Sequence, residues 1–414
     1  MGLCMGEARD EGRWKSPRWG SGTTIALSTI ATLSLLPSLA EAAAVVWGEW
    51  HGYTGRALRD GLDFWAGGFL ALHHRVNVVF DPKQYESFLT GLYGGLPPHI
   101  WSYPPNYLLI ASAFGWLAPW HAVLAFDFAS LVLLVVVLRF AGLGWWLVMA
   151  VALSPASFEN LLEGQNAALV TALIGGGILL LPKRPRLGGA LVGLASIKPQ
   201  LGVPLPFYLL RRSPLGFAYA VLAAIALALL SLFLFGFGSW VAFWRVTRPA
   251  MTAVLLSGHP KDFAGGLISV FAAVRFLGVP AALAIQGVVS LSLAALAALT
   301  TNPVVVLILA AIASPYLHGY DLLGVALAVG LLVEERLATG FMAGEAVLLF
   351  VAWAGPGILA WLPFFAPLAP VVLILLLAIA ARRGRRVSEW GARLRPTGRS
   401  APSGIRQRST GSGA

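Results

Sequence analysis

The sequence predicts an all-α integral membrane protein, a polytopic bundle of about ten to thirteen transmembrane helices with short, broken members, and three observations predict it. Of its 414 residues, 58% are hydrophobic and 11% charged, against about 25% charged in soluble domains. Apolar runs recur from Thr23 to Ala381 at lengths suited to a bilayer. The formal net charge of +11 sits mostly in the tails: the first twenty residues hold four basic and three acidic side chains, and Arg382 to Arg408 hold nine arginines against Glu389 alone. Basic flanks of this kind stay on the cytoplasmic side of a membrane. The tails lack the aromatic or motif support of a nucleic-acid arm, so no nucleic-acid partner is expected.

In chain order, residues 1–22 read as a cytoplasmic tail containing Cys4, the one cysteine, which cannot close an internal disulfide. Thr23–Trp47 follows as a first transmembrane helix, with a signal peptide cleaved near Leu39-Ala40-Glu41-Ala42 as the alternative. Residues 48–101 form a first external loop whose amphipathic pieces, Phe64–Leu72 and Tyr85–Tyr93, are expected to lie along the interface. The transmembrane domain spans 23–381. Several of its apolar segments, Leu187–Ile197, Leu201–Leu210 and Val304–Ala313 among them, are too short to cross alone. Broken helices at membrane depth are tolerated where they are buried in protein or line a cavity, so a cavity inside the bundle is implied. Lys183, Arg184 and Arg186 with Arg211 and Arg212 put both ends of Leu187–Leu210 on the cytoplasmic side, with Lys198-Pro199-Gln200 at the tip of a hairpin. Residues 240–263 read as a second external loop and 382–414 as a basic, disordered cytoplasmic tail.

Ionisable groups inside such a chain are expensive, so each is a candidate for function. Asp63, in Arg59-Asp60-Gly61-Leu62-Asp63-Phe64-Trp65, is either a helix N-cap or a general base near the membrane surface. Lys198 lies between two apolar half-helices with no sequence neighbour to neutralise it, and an anion such as a phosphate suits it better than snorkelling. Glu159, Glu163, Gln165 and Asn166 follow Ser154-Pro155, and either cap helix ends or offer hydrogen bonds to a sugar. If the chain after Pro315 is helical, His318 and Asp321 share a face and form a ligand site or a structural pair. Asp81-Pro82 and Trp101-Ser102-Tyr103-Pro104-Pro105 read as rigid turns. Nucleotide, dinucleotide and zinc signatures are absent, so neither cofactor nor metal is expected.

With those residues in place, the order of features resembles a class C glycosyltransferase, and most closely the family 87 polyprenol-phosphate-sugar-dependent mannosyltransferases. The resemblance rests on Gly61-Leu62-Asp63-Phe64, Trp101-Ser102-Tyr103-Pro104-Pro105, Ser154-Pro155 with Gly164-Gln165-Asn166, Gly193 to Gln200 around Ile197-Lys198-Pro199, and Ser314-Pro315-Tyr316 with Tyr320-Asp321. It implies a multi-pass inner-membrane enzyme with an extracytoplasmic cavity. Asp63 would act as catalytic base and Lys198 would meet the leaving phosphate, while Tyr103, Gln165, His318 and Asp321 position sugar or phosphate. The implied partners are a polyprenyl-phosphate-linked sugar donor, a lipid or glycan acceptor and the membrane lipids. An ion-coupled secondary transporter, or a lipid-linked glycan flippase or ligase, is the alternative that broken helices also allow.

Overall fold

The computed structural model describes residues 59–93, 100–257 and 266–382, with isolated positions 35, 36, 39, 40 and 43. Apart from those positions, the expected first membrane helix Thr23–Trp47, its signal-peptide alternative, Cys4 and both tails lie outside the described residues, as do His259, Lys261 and Asp262 of the second loop. Among the described residues every regular element is helical.

The first loop folds into α1 (Arg59–Leu72), α2 (Val76–Val79) and α3 (Pro82–Tyr93). Asp81 caps α3: the amides of Lys83 and Gln84 donate to its Oδ1 at 3.1 Å each, and Gln84 Nε2 donates to Oδ2 at 2.8 Å. These bonds, from Gln84 above all, hold its carboxyl below the ordinary value. The expectation that Phe64–Leu72 lies along the interface is corrected here. Leu62, Phe64, Trp65, Ala66, Leu70 and Ala71 are all buried, and α1 packs between α4 (Leu108–Ser112) and α5 (Pro119–Phe140). Glycines make that insertion possible, since a Cβ on Gly68 would stand 2.2 Å from the Ala111 carbonyl oxygen and one on Gly67 2.3 Å from the Trp101 ring.

The chain continues through α6 (Trp145–Ala152), α7 (Pro155–Glu163), α8 (Ala167–Leu180), α9 (Pro185–Ile197), α10 (Leu205–Arg212) and the long α11 (Pro214–Ala242). A π-helical turn, Phe243–Thr247, leads into α12 (Arg248–Ser257). Most of the expected second loop is therefore helical. From Gly238 onward no proline or glycine interrupts the chain until Pro249, which comes just after the π-helical turn. Then come α13 (Val270–Val274), α14 (Val279–Leu299), α15 (Pro303–Ala313), α16 (Leu323–Thr339), α17 (Glu345–Trp361) and α18 (Ala369–Arg382).

Four helical stretches among the described residues are long and apolar enough to cross a membrane unaided: α5, Pro214–Leu256, α14 and Pro363–Arg382. The pair α6 and α7, bent by 48°, passes the same test together, as a broken span or a re-entrant loop. The apolar helices α8, α9, α15 and α17 are shorter. Eleven residues of α15 reach about 16 Å, roughly half of a hydrocarbon core of about 30 Å.

Burial separates the two groups. Only 11% of the most apolar stretch of Pro214–Leu256 is buried within the protein, and Phe233, Phe237 and Leu291 stand out from the bundle. Apolar surface on that scale needs lipid around it. In α15 every residue from Val304 to Ala313 is buried, as expected of a helix that is apolar all round. The protein is an all-α polytopic membrane protein in which the short α8 and α15 are buried inside, while Pro214–Leu256 and α14 leave most of their apolar surface outward.

Small residues join the layers. A Cβ on Gly189 would lie 2.0 Å from the Gly216 carbonyl oxygen and one on Gly193 2.1 Å from that of Ala220, so α9 and α11 cross with their backbones in contact. Within α11, Gly236 adopts φ 77°, a conformation glycine takes without strain, and kinks the helix. Near this kink the Ser239 hydroxyl donates to the Gly236 carbonyl at 2.7 Å, and Trp240 Nε1 donates to Ser231 Oγ at 3.2 Å.

Candidate active site

Three breaks in the helical pattern, after Gly164, at Lys198 and at Ser314, meet in one buried place, and each has a local cause. Ser154 caps α7, its Oγ accepting the Ser157 amide at 3.3 Å, with Pro155 at the first helical position. That helix ends on Gly164, whose φ of 65° and whose contact with α1 both exclude a side chain: a Cβ there would lie 2.7 Å from Gly61 Cα. Asn160 Oδ1 then accepts the amides of Ala167 at 2.5 Å and Ala168 at 3.3 Å, capping α8. Two proline-marked breaks complete the set. Pro199 and Pro315 stop α9 and α15 just before or after Lys198 and Ser314, and the chain resumes as α10 and α16.

Lys198 is buried, and its Nζ donates to Asp321 Oδ1 at 2.5 Å and to Asn166 Oδ1 at 3.2 Å. Its side chain is 3% exposed and that of Asp321 1%. The ammonium also stands 5.1 Å from the centre of the Tyr320 ring, a favourable position for a cation. The neutralising partner that the neighbourhood of Lys198 lacks in sequence is thus supplied 123 residues away.

His318 and Asp321 meet through the main chain. The expected helix after Pro315 does not form until the 3-10 turn Tyr320–Leu322, because Ser314 Oγ donates to the Tyr316 carbonyl and accepts the Tyr316 amide, which holds a turn there. The His318 main-chain amide donates to Asp321 Oδ2 at 3.2 Å, while its ring stacks on Tyr320 at 5.3 Å.

Gln165 is engaged at both ends. Its Nε2 donates to Asp60 Oδ2 at 2.5 Å, and its Oε1 accepts the Tyr103 hydroxyl at 3.3 Å and the Asn166 amide at 3.2 Å. Tyr103 stacks on Tyr107 at 4.3 Å, and both rings pack edge-on against Phe64. Polar contacts therefore run from Asp60 through Gln165 and Asn166 to Lys198 and Asp321.

Asp63 is the fifth residue of α1, inside the helix and not its cap. Its side chain is buried, its Oδ1 has no hydrogen-bond partner among the described residues, and its main-chain carbonyl accepts the Tyr85 hydroxyl at 2.7 Å. Burial pushes its carboxyl well above the ordinary value. A hydrogen bond from Tyr85 pulls the other way, and the neighbouring Asp60 charge adds to the rise.

Three further residues of this region lie outside the sequence motifs, although Asp127, an ionisable group in an apolar run, carries a signal that could have found it. Asp60 adjoins the Asp63 motif, yet only the fold brings it onto Gln165. Gln286, in the apolar α14, accepts the Phe271 amide at 2.8 Å and donates to the Ile312 and Ala313 carbonyls at 3.3 Å each and to Ser290 Oγ at 3.1 Å. It thereby holds the last carbonyls of α15, directly before the Ser314 break, and the start of α13. Asp127, in α5, is buried, and its Oδ1 has no hydrogen-bond partner among the described residues. Glu159 lies against the main chain at Gly319, so the acidic segment after Ser154 packs on this break.

No curated protein and no solved structure matches the chain. The model of glycosyltransferase family 87 matches residues 101–338. That span takes in Tyr103, Gln165, Lys198, His318 and Asp321 and begins after Asp63. With more than half of its length inside the match and its polar centre there too, the chain belongs to glycosyltransferase family 87 and is a membrane glycosyltransferase.

Proposed function

We propose that the protein transfers a hexose, mannose by its family resemblance, from a polyprenyl-phosphate donor to a hydroxyl of a lipid or glycan acceptor. Asp63 takes the proton of that hydroxyl as its oxygen attacks the anomeric carbon. The bond from that carbon to the phosphate oxygen breaks, the polyprenyl phosphate leaves with the electron pair, and the configuration inverts. The observation that carries this reading is the buried Asp63 Oδ1, an acceptor without a hydrogen-bond partner among the described residues, on a helix that reaches the polar centre. A carboxylate raised by burial is a stronger base than one in water.

Lys198 stabilises the leaving phosphate. An ammonium has three N–H donors, and Asp321 and Asn166 take two of them. A phosphate oxygen suits the third, and charge-assisted bonds strengthen where water is scarce. Tyr103, Gln165, His318 and Asp321 surround the transferred group.

The reaction belongs on the extracytoplasmic face of an inner membrane. The basic residues Lys183, Arg184 and Arg186 precede or open α9, and Lys198 follows its far end, about 20 Å away by helix rise. By the same rule the tails are cytoplasmic.

The test is transfer by the purified full-length chain, supplied with polyprenyl-phosphate hexoses and candidate acceptors. Release of polyprenyl phosphate with formation of a glycosylated acceptor is expected, and Asp63→Asn should abolish it while the protein remains folded. An Asp63→Asn enzyme with full activity would overturn the base assignment.

A further inference from the structure

Asp127 is the buried carboxylate that the reaction above does not use. It lies nine residues into α5, one of the helices able to cross the membrane, where an ionised side chain is costly and marks function by default. The face of α5 that carries it is turned to the active site. Val123, one helical turn earlier, fills the space beside Gly61, where a Cβ would lie 2.5 Å from its Cγ1. Phe126 packs edge-on against Phe64 at 6.0 Å, and Phe64 in turn packs against Tyr107 at 4.9 Å. Tyr107 also stacks on Tyr103 at 4.3 Å, and the Tyr103 hydroxyl donates to Gln165 Oε1, the same oxygen that accepts the Asn166 amide.

Among the described residues Asp127 Oδ1, the Tyr107 hydroxyl, Asn166 Nδ2 and Asp63 Oδ1 are all buried and make no hydrogen bond of good geometry. Buried polar groups are nearly always satisfied, and each unsatisfied one calls for an explanation. The four together present acceptors, a donor and a phenol that is both. A polyol matches that set, because every hydroxyl donates once and accepts twice.

Resting on the transfer reaction set out above, we propose that Asp127, Tyr107 and Asn166 form the subsite that binds ring hydroxyls of the transferred sugar. In it Asp127 accepts from sugar O–H groups, Asn166 Nδ2 donates to a sugar oxygen, and Asp63 Oδ1 is left for the acceptor hydroxyl.

The experiment compares two ligands on the full-length protein in lipid nanodiscs: polyprenyl-phosphate-mannose and bare polyprenyl phosphate. Asp127→Asn should weaken binding of the glycosylated lipid roughly fivefold, the loss expected of one buried hydrogen bond. Binding of the bare lipid should not change. Donors lacking one sugar hydroxyl should bind the wild type more weakly, and for one such hydroxyl the variant should not distinguish the deoxy donor from the complete one.

Equal weakening of both lipids, or no weakening of either, would overturn the subsite, as would a variant that still senses every hydroxyl. Ordered water in place of sugar predicts that second pattern. If Asp127→Asn is not recovered folded, Tyr107→Phe removes a single hydroxyl and runs the same comparison with the same outcomes. Wild-type protein that fails to bind or use the glycosylated lipid would sink the transfer reaction itself, and the subsite with it. Failure confined to the variants touches the subsite alone.

Discussion

Lys198 Nζ lies 2.5 Å from Asp321 Oδ1, closing a buried ion pair between two helix breaks separated by 123 residues. Removing one partner of such a pair leaves an uncompensated charge, at a cost of about 3–5 kcal/mol, whereas replacing both by apolar groups is often neutral. Lys198→Met and Asp321→Asn should each lower thermal stability in detergent. The double variant Lys198→Met/Asp321→Leu should recover much of it while transfer stays absent. A double variant no more stable than either single one would show that the two positions are not coupled.

Asp63 should shape the pH dependence of both activity and stability. Its carboxyl is raised by burial, so the base form appears only as pH climbs above the usual carboxylate range. The acid limb of kcat/KM should therefore lie above the ordinary carboxylate value of about 4. The stability sign follows from the same shift: an acid whose folded value exceeds its unfolded one supports the fold below the unfolded value and loses that support as pH rises through the folded value. Against wild type, Asp63→Asn should grow relatively more stable as pH rises, measured by thermal unfolding across a pH series. A parallel pair of stability curves would contradict the assignment.

Gln286 joins α13, α14 and the end of α15. Gln286→Leu leaves the Phe271 amide and the two carbonyls without it, and should cost about 1–3 kcal/mol. Because those carbonyls precede Ser314, the Asp321 turn should loosen too. Transfer should slow more than donor binding weakens, and Gln286→Glu, which keeps the acceptor oxygen for Phe271, should retain more of the rate. Identical losses in the two variants would argue against positioning through these bonds.

Gly193 lets α9 touch the backbone of α11. Gly193→Leu should reduce the yield of monodisperse protein and destabilise it by roughly 1–3 kcal/mol or more, as overpacking does. Gly287 in α14 has open space where a Cβ would point, so Gly287→Leu is the matched control and should be tolerated. Equal behaviour of the two variants would remove the close crossing as an explanation.

How much of this was legible depended on the range over which each feature acts. The breaks at Ser154, Lys198 and Ser314 were readable, because capping hydroxyls and prolines act on their immediate neighbours. Two local readings misled. Phe64–Leu72 has the pattern of an interfacial helix, but Gly67 and Gly68 admit Trp101 and the Ala111 backbone, so it is buried instead. The polar character of 240–263 suggested a loop where helix continues through Trp240–Ser257, since charge in a sequence does not by itself end a helix.

The sequence by itself determined the membrane class, the helical fold and the places where helices stop, all of which follow from composition and near-neighbour chemistry. Only the tertiary structure decided that Lys198 belongs with Asp321, that Gln165 is held by Asp60, 105 residues earlier, and that Gln286 ties α13 to the end of α15. In a bundle where almost every segment is apolar, no pattern along the chain says which polar group will face which. Glycine-lined crossings and half-length helices fix that, because they set how closely the backbones approach and where their broken ends meet.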